Sequence, residues 1–287
     1  MDDVKLLLCT DMDRTLIPNG AQPEPINARQ RFARFCAQPE VTLVYVTGRH
    51  LDLVREAIEE YELPQPDYAI TDVGTKIYQV NDGEWFELGS WEHEIELDWQ
   101  GRSRQQLEEL IGKVDELELQ EASKQNTHKL SYYVSLESDY QRIMSRIADC
   151  LQQKGVAASL IWSVDETTRT GLLDVLPRNA TKLHAIEFLQ QQLGYGRDEV
   201  VFAGDSGNDL PVLTSPVHSV LVANATDEVK ETARQMAYEN GHEAALYLAK
   251  NTRHESDGNY SAGILQGVWH YVPMFESLFE KRGMTHE

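Results

Sequence analysis

Residues 4–17 read VKLLLCTDMDRTLI, and this stretch decides the fold. Positions 4–8 form a short apolar run typical of a buried strand, and it breaks directly into Asp11 and Asp13, a carboxylate pair at spacing two. Open α/β sheets carry their ligand sites outside the carboxyl ends of the strands. Two carboxylates at that place are positioned to meet a hard cation and to do nucleophilic and acid–base work.

Working outward, strand-like and helix-like segments alternate. A helical stretch at 27–36 precedes the β-rich run VTLVYV at 41–46, an amphipathic helix at 51–61 and a strand at 68–71. Strands separated by helix-length segments predict βαβ units and a parallel sheet. The pattern then changes. Segments 76–80 and 85–88, joined at Asn81-Asp82-Gly83, read as a hairpin. A charged helix at 102–117, an alternating strand at 129–136, a helix at 140–152 and a strand pair at 157–164 and 171–176 follow. From Thr181 the βα rhythm returns, with a helix to 193 and strands at 199–203 and 219–222. The expected fold is α/β: a doubly wound, mostly parallel Rossmann-like core at 1–82 and 178–287, split by an α+β insert at 83–177.

Three further constellations sit at strand or helix ends. Thr47-Gly48-Arg49 follows VTLVYV, where a hydroxyl and a free backbone amide can hold a phosphate oxygen and Gly48 lets a ligand approach. Lys182 opens the helix at 181–193, where an ammonium can neutralise both phosphate and carboxylate. Gly204-Asp205-Ser206-Gly207-Asn208-Asp209 follows the apolar run at 200–203 and offers two acids and an amide around a glycine turn, a cation site.

The 287 residues carry 26 basic and 47 acidic side chains, a net charge of −21. Such a field disfavours nucleic acid and anionic membranes as partners. No apolar run approaches the ~18 residues of a membrane span. Cys9, Cys36 and Cys150 are isolated, without a CxxC pair, which fits free thiols in a reducing compartment. The acidic start MDDVK lacks the basic region of a signal peptide. A cytoplasmic location is expected, so the sequons at Asn179, Asn224 and Asn259 carry no glycan. His93, His128 and His184 show no metal-ligand spacing. Trp85, Trp91 and Trp99 could stack on a sugar ring, although packing is the commoner use of such side chains.

In chain order, acids, hydroxyl, lysine and acids resemble the four motifs of the haloacid dehalogenase-like phosphatase superfamily. The insert between Thr47 and Lys182 stands where that superfamily carries its class IIB cap. Within it the chain resembles the sucrose-phosphate phosphatases, in CTDMDRTLI (9–17), YVTGRH (45–50), DVGTKIY (72–78), NTHKLSYYVSL (126–136), AGDSGNDLPVL (203–213) and GNYSAGILQGVWHY (258–271).

The resemblance implies that Asp11 attacks phosphorus and that Asp13 protonates the leaving oxygen and then deprotonates water. Thr47 and Lys182 would hold phosphoryl oxygens. Mg2+ would be bound by Asp11, the main-chain carbonyl of Asp13, and Asp205, with Asp209 and Asn208 in support. Arg49 and Lys129 would touch sugar hydroxyls, joined by Thr75 and Asn126. For its acid role Asp13 should have a raised pKa in the complex.

Two positions depart from the pattern: Leu183 follows Lys182 where glycine is frequent, and Arg14 follows Asp13 where asparagine or glycine is frequent. The implied substrate is sucrose 6-phosphate. The alternatives are mannosylfructose-phosphate, glucosylglycerate-phosphate or kanosamine 6-phosphate, then a phosphomutase or a non-catalytic sugar-phosphate-binding module. A sucrose-phosphate synthase partner rests on the resemblance alone.

Overall fold

The computed structural model describes residues 4–165, 168–252 and 256–282. Its strands are β1 (Leu6–Thr10), β2 (Val41–Val46), β3 (Tyr68–Thr71), β4 (Lys76–Asn81), β5 (Glu84–Glu87), β6 (Leu117–Leu119), β7 (Leu130–Val134), β8 (Ala158–Asp165), β9 (Thr170–Pro177), β10 (Val200–Gly204), β11 (His218–Leu221) and β12 (Leu246–Leu248). The helices of the first half are α1 (Ala28–Cys36), α2 (Leu51–Glu60), α3 (Gly89–Glu96), α4 (Arg104–Ile111) and α5 (Tyr140–Gln153). Those of the second are α6 (Lys182–Leu193), α7 (Leu210–Leu213), α8 (Asp227–Asn240), α9 (Tyr260–Tyr271) and α10 (Pro273–Lys281).

Eight strands form one sheet in the order β12-β11-β10-β1-β2-β3-β4-β5. The pairs from β12 to β3 are parallel, and β4 and β5 close the edge antiparallel. Strand order reverses between β1 and β10, and doubly wound sheets open a ligand crevice at that point. Period-two alternation sends Leu6 and Leu8 to one face and Leu7 and Cys9 to the other. The first face is covered by Phe32 and Phe35 of α1, Val54 of α2 and Ile264 and Val268 of α9. The second meets Ile186 and Leu189 of α6, Val212 and Leu213 of α7, and Trp91 and Ile95 of α3.

The remaining strands make an antiparallel sheet in the order β6-β7-β9-β8. Ile143, Ile147 and Leu151, spaced by one helical turn along α5, pack with Leu107, Leu130, Leu173 and Val175 in a separate core. The helix expected at 102–117 is shorter than its charge pattern suggests. Ser103 and Gln106 form a capping box at its start, and it stops at Gly112 (φ 69°), freeing 117–119 to become the edge strand β6.

The expected division at residue 82/83 falls inside the β4–β5 hairpin, and both strands lie in the large sheet. Asp82 (φ 51°) and Gly83 (φ 80°) turn it as their sequence requires. Trp91 and Ile95 also belong to the large sheet's core, whereas Trp99 belongs to that of the small sheet. We therefore place the boundary of the insert near Leu97. Asp98 ties the two connecting segments together: its carboxylate accepts from the Asn179 amide (2.6 Å) and side chain (3.2 Å). No helix among the described residues is long and apolar enough to cross a membrane.

Candidate active site

The Asp11 amide donates to Ala203 O at 2.9 Å, extending the β1–β10 ladder one residue past its end. This brings Asp11 beside the loop after β10. Carboxylate oxygens of Asp11, Asp205 and Asp209 lie within 4.8 Å of one another, all three residues buried. Lys182 Nζ reaches Asp209 Oδ1 at 2.8 Å and Asp11 Oδ1 at 3.2 Å. It stands at the first position of α6, where Thr181 Oγ1 accepts from the His184 amide and caps the helix.

Asp209 has little left to offer a ligand. Its Oδ2 accepts from the amides of Asp205 and Ser206 and from Ser206 Oγ, at 3.1, 3.2 and 3.1 Å, while Oδ1 holds Lys182. Asp205 Oδ2 instead accepts from Arg14 Nε (3.0 Å) and Nη2 (2.9 Å), and Thr15 Oγ1 donates to its Oδ1. Arg14, the departure noted in the sequence, thus places a guanidinium on a carboxylate expected to hold metal.

Burial pushes the Asp11 carboxyl up to about 8 despite the Lys182 charge, and the Asp209 and Asp205 charges add to the rise. Burial also raises Asp205, against the pull of Arg14. Lys182 would lose its proton more readily through burial, but the Asp11 and Asp209 charges outweigh this and hold it charged. Two buried carboxylates that resist ionisation, Asp11 and Asp205, are the setting a divalent cation relieves. Their all-oxygen donors are the kind that Mg2+ takes, while Asp209 holds Lys182 and the loop after β10.

Asp13 points to the wet side of the site. Arg49 Nε and Nη2 donate to its two oxygens at 2.8 and 2.7 Å, and Asn19 Nδ2 donates to Oδ1 at 2.8 Å. Burial alone would raise its pKa; Arg49 and Asn19 overcome that and bring it below the usual carboxylate value. The substrate-free direction is the opposite of the rise the acid role calls for in the complex. Arg49, expected on a sugar hydroxyl, is held by Asp13.

Thr47 is buried, and its Oγ1 accepts from the Arg49 amide at 3.1 Å. The loop after β3 locks this turn: Val73 N donates to Thr47 O and Asp72 N to Arg49 O. Gly74 (φ 98°) lies against the start of α6, where a Cβ would come within 2.7 Å of Thr181 C. Only glycine permits that approach, which brings the Thr47 turn and Lys182 to the same place. Nothing in the spacing of DVGTKIY marks it.

Thr47, Gly48, Arg49 and Asn208 join Asp11, Asp13, Asp205 and Lys182 around one cavity of about 670 Å3, whereas Asp209 is fully buried and outside its lining. The opposite wall comes from the small sheet, through Ser159, Ile161 and Ser163 of β8 and Asp174 of β9. Alternate residues of a strand share a face, so the three β8 side chains line one stripe. The sequence reading missed this wall because no motif marks it. Thr75, Asn126 and Lys129 are outside the cavity lining. Asn126 Nδ2 donates to Thr75 Oγ1 at 2.9 Å and Lys129 Nζ stands 4.0 Å from Asp72, so the three join the insert to the core. Trp91 and Trp99 are fully buried, which excludes sugar stacking on either in this structure.

Comparisons with known proteins identify the family. Residues 4–272 match the family of sucrose-6F-phosphate phosphohydrolases. A protein of Nitrosococcus oceani described as a HAD-like hydrolase is 48% identical over 94% of this chain and 72% of its own length. Sucrose-phosphatase 1 of Nicotiana tabacum is 29% identical over 93% of this chain, which spans 59% of the tobacco protein. The crystal structure of the Synechocystis sucrose-phosphatase, in complex with sucrose and phosphate, is 25% identical; it aligns over 93% of this chain and 98% of its own with a TM-score of 0.70. With the motifs on one cavity and the family match running through core and insert alike, the chain belongs to the sucrose-6F-phosphate phosphohydrolase family of haloacid dehalogenase-like phosphoric monoester hydrolases.

Proposed function

We propose that this chain is a Mg2+-dependent phosphatase that releases phosphate from a sugar phosphate through an aspartyl-phosphate, with sucrose 6-phosphate as its first substrate. The observation that carries this reading is convergence: Asp11, Thr47, Lys182 and Asp205 come from four separate strand or helix ends and border one cavity. Phosphoryl transfer needs mainly in-line positioning and charge neutralisation, and these residues supply both.

Asp11 Oδ attacks phosphorus as the bond to the sugar oxygen breaks, and Thr47 and Lys182 hold the phosphoryl oxygens. Asp13 gives its proton to the departing sugar oxygen. It then takes one from the water that attacks the phosphorus of phospho-Asp11, which restores the carboxylate and releases phosphate. Mg2+ on Asp11, Asp205 and the Asp13 carbonyl would offset the charge between Asp11 and the phosphate. Asp13 has to leave Arg49 to serve as acid, and substrate filling the cavity supplies the desolvation that favours its protonated form.

Substrate choice falls to the insert, whose Ser159, Ser163 and Asp174 face the core across the cavity and suit sugar hydroxyls. The tobacco and Synechocystis relatives support sucrose 6-phosphate. The synthase partner gains no support from any residue here.

The test is phosphate release with Mg2+ from sucrose 6-phosphate, mannosylfructose-phosphate, glucose 6-phosphate and fructose 6-phosphate. A preference for sucrose 6-phosphate of about a hundredfold or more in kcat/KM is expected. A different preferred sugar keeps the aspartate chemistry and moves the substrate. Isomerisation without phosphate release would make it a mutase.

A further inference from the structure

The stretch GNYSAGILQGVWHY at 258–271 is shared by the family resemblance, yet none of its side chains lines the cavity. Its first helical residue, Tyr260, is fully buried and has φ 48°, a left-handed conformation that a tyrosine rarely adopts. Such strain persists only where surrounding bonds enforce it. Here they are explicit. The Tyr260 amide donates to Asn224 Oδ1 at 2.8 Å, and its phenol donates to Gln22 O at 3.0 Å. Its neighbour Asn259 donates from Nδ2 to Pro23 O at 3.0 Å.

Asn224 passes the connection on. Its Nδ2 donates to Arg14 O at 2.6 Å. Arg14 is also left-handed (φ 56°), its amide donates to Asn19 Oδ1 at 2.8 Å, and its guanidinium holds Asp205. Asn19 in turn donates to Asp13. A continuous chain of hydrogen bonds thus runs from the start of α9 to both carboxylates flanking the nucleophile.

We propose that Tyr260 is a positioning residue of the active site, holding segment 14–23 in the conformation from which Asn19 engages Asp13 and Arg14 engages Asp205. Tyr260 touches no substrate; its phenol holds the loop at Gln22 and its amide orients Asn224. The proposal rests on the phosphatase reading above.

The test pairs Tyr260→Phe, which deletes only the phenol oxygen, with Asn19→Ala in a double-mutant cycle on the full chain with Mg2+. Each single variant is expected to lower kcat about tenfold with KM within about twofold, because the loop touches the acid–base group and not the sugar wall. The double variant should be no slower than the slower single one, since the phenol's hold on Gln22 and the Asn19 bond to Asp13 fix the same loop. Additive losses, or a Tyr260→Phe enzyme with normal kcat, overturn the proposal.

Gly20→Ala guards against a folding defect: a Cβ there would come within 2.8 Å of the Tyr260 phenol oxygen from a surface loop. It should reproduce the kcat loss with the melting temperature held. Hydrogen exchange in segment 14–22 gives a readout independent of turnover. Faster exchange in Tyr260→Phe is expected, and unchanged exchange overturns the strap. If the wild-type protein released no phosphate from any sugar phosphate, the functional reading would fail, and the strap would still stand or fall on exchange.

Discussion

Arg49 grips Asp13 with two parallel hydrogen bonds, Nε to Oδ2 at 2.8 Å and Nη2 to Oδ1 at 2.7 Å. This pairing favours the ionised form of Asp13 in the substrate-free protein, although the proposed first step needs a proton there. Bidentate pairing of this kind favours the carboxylate form.

Removing that partner makes a signed prediction. In Arg49→Ala the Asp13 pKa rises, so the proton needed by the leaving oxygen persists to higher pH. The descending limb of kcat/KM against pH should move upward in pH. KM should rise by less than about threefold if Arg49 serves Asp13; a much larger rise with an unmoved limb would return Arg49 to the sugar. A pH series of initial rates checks both.

Asp11→Asn should lower turnover by at least about a thousandfold, since no carboxylate remains to attack phosphorus. The same variant reads the burial of Asp11. Its native value of about 8 lies above the ordinary 3.8, so the native state holds a proton that the unfolded chain has released between those values. Stability must then fall as pH rises through that window. Without divalent ions, Asp11→Asn should melt above the wild type at pH 8, with the gap shrinking toward pH 4.

Divalent binding should be proton-linked for the same reason. Mg2+ needs the Asp11 carboxylate, so binding at pH 7 should release up to one proton, and affinity should climb roughly tenfold per pH unit until about pH 8. Calorimetry in two buffers of different ionisation enthalpy measures the proton count. No release at pH 7 would place the ion away from Asp11.

Gly74→Ala tests the approach that joins the Thr47 turn to the start of α6. With φ 98° and a Cβ directed at Thr181 C, the substitution should cost about 1–3 kcal/mol of stability. If the approach also sets the Lys182 position, kcat/KM should fall by more than about tenfold. Urea denaturation and steady-state kinetics separate the two effects.

The strand ends were legible because an apolar run breaking into acids, or into Thr-Gly-Arg, is a local signal. β1, β2 and β10 lie close to the expected positions and deliver Asp11, Thr47 and Asp205 to one cavity. What escaped was relational. The pairing of Arg49 with Asp13 joins residues 36 apart through side-chain geometry, and the approach of Gly74 to Thr181 depends on how α6 meets the β3 loop. The Ser159-Ile161-Ser163 stripe looks like any half-buried strand until the insert is laid over the core. The β4–β5 hairpin has a clear turn signal, but whether it extends the large sheet or begins the insert is set by pairing partners that the turn does not encode.

The clasp between Asp98 and Asn179 has a consequence for the history of the molecule. Seen from the core, everything between those residues is a single excursion whose two ends are already fastened side by side. The entropy of closing such an excursion grows only logarithmically with its length. The cost of closing the core thus depends only weakly on the length threaded there, so inserts of unrelated size can be exchanged at this point while the strand and helix ends that carry the four motifs stay as they are.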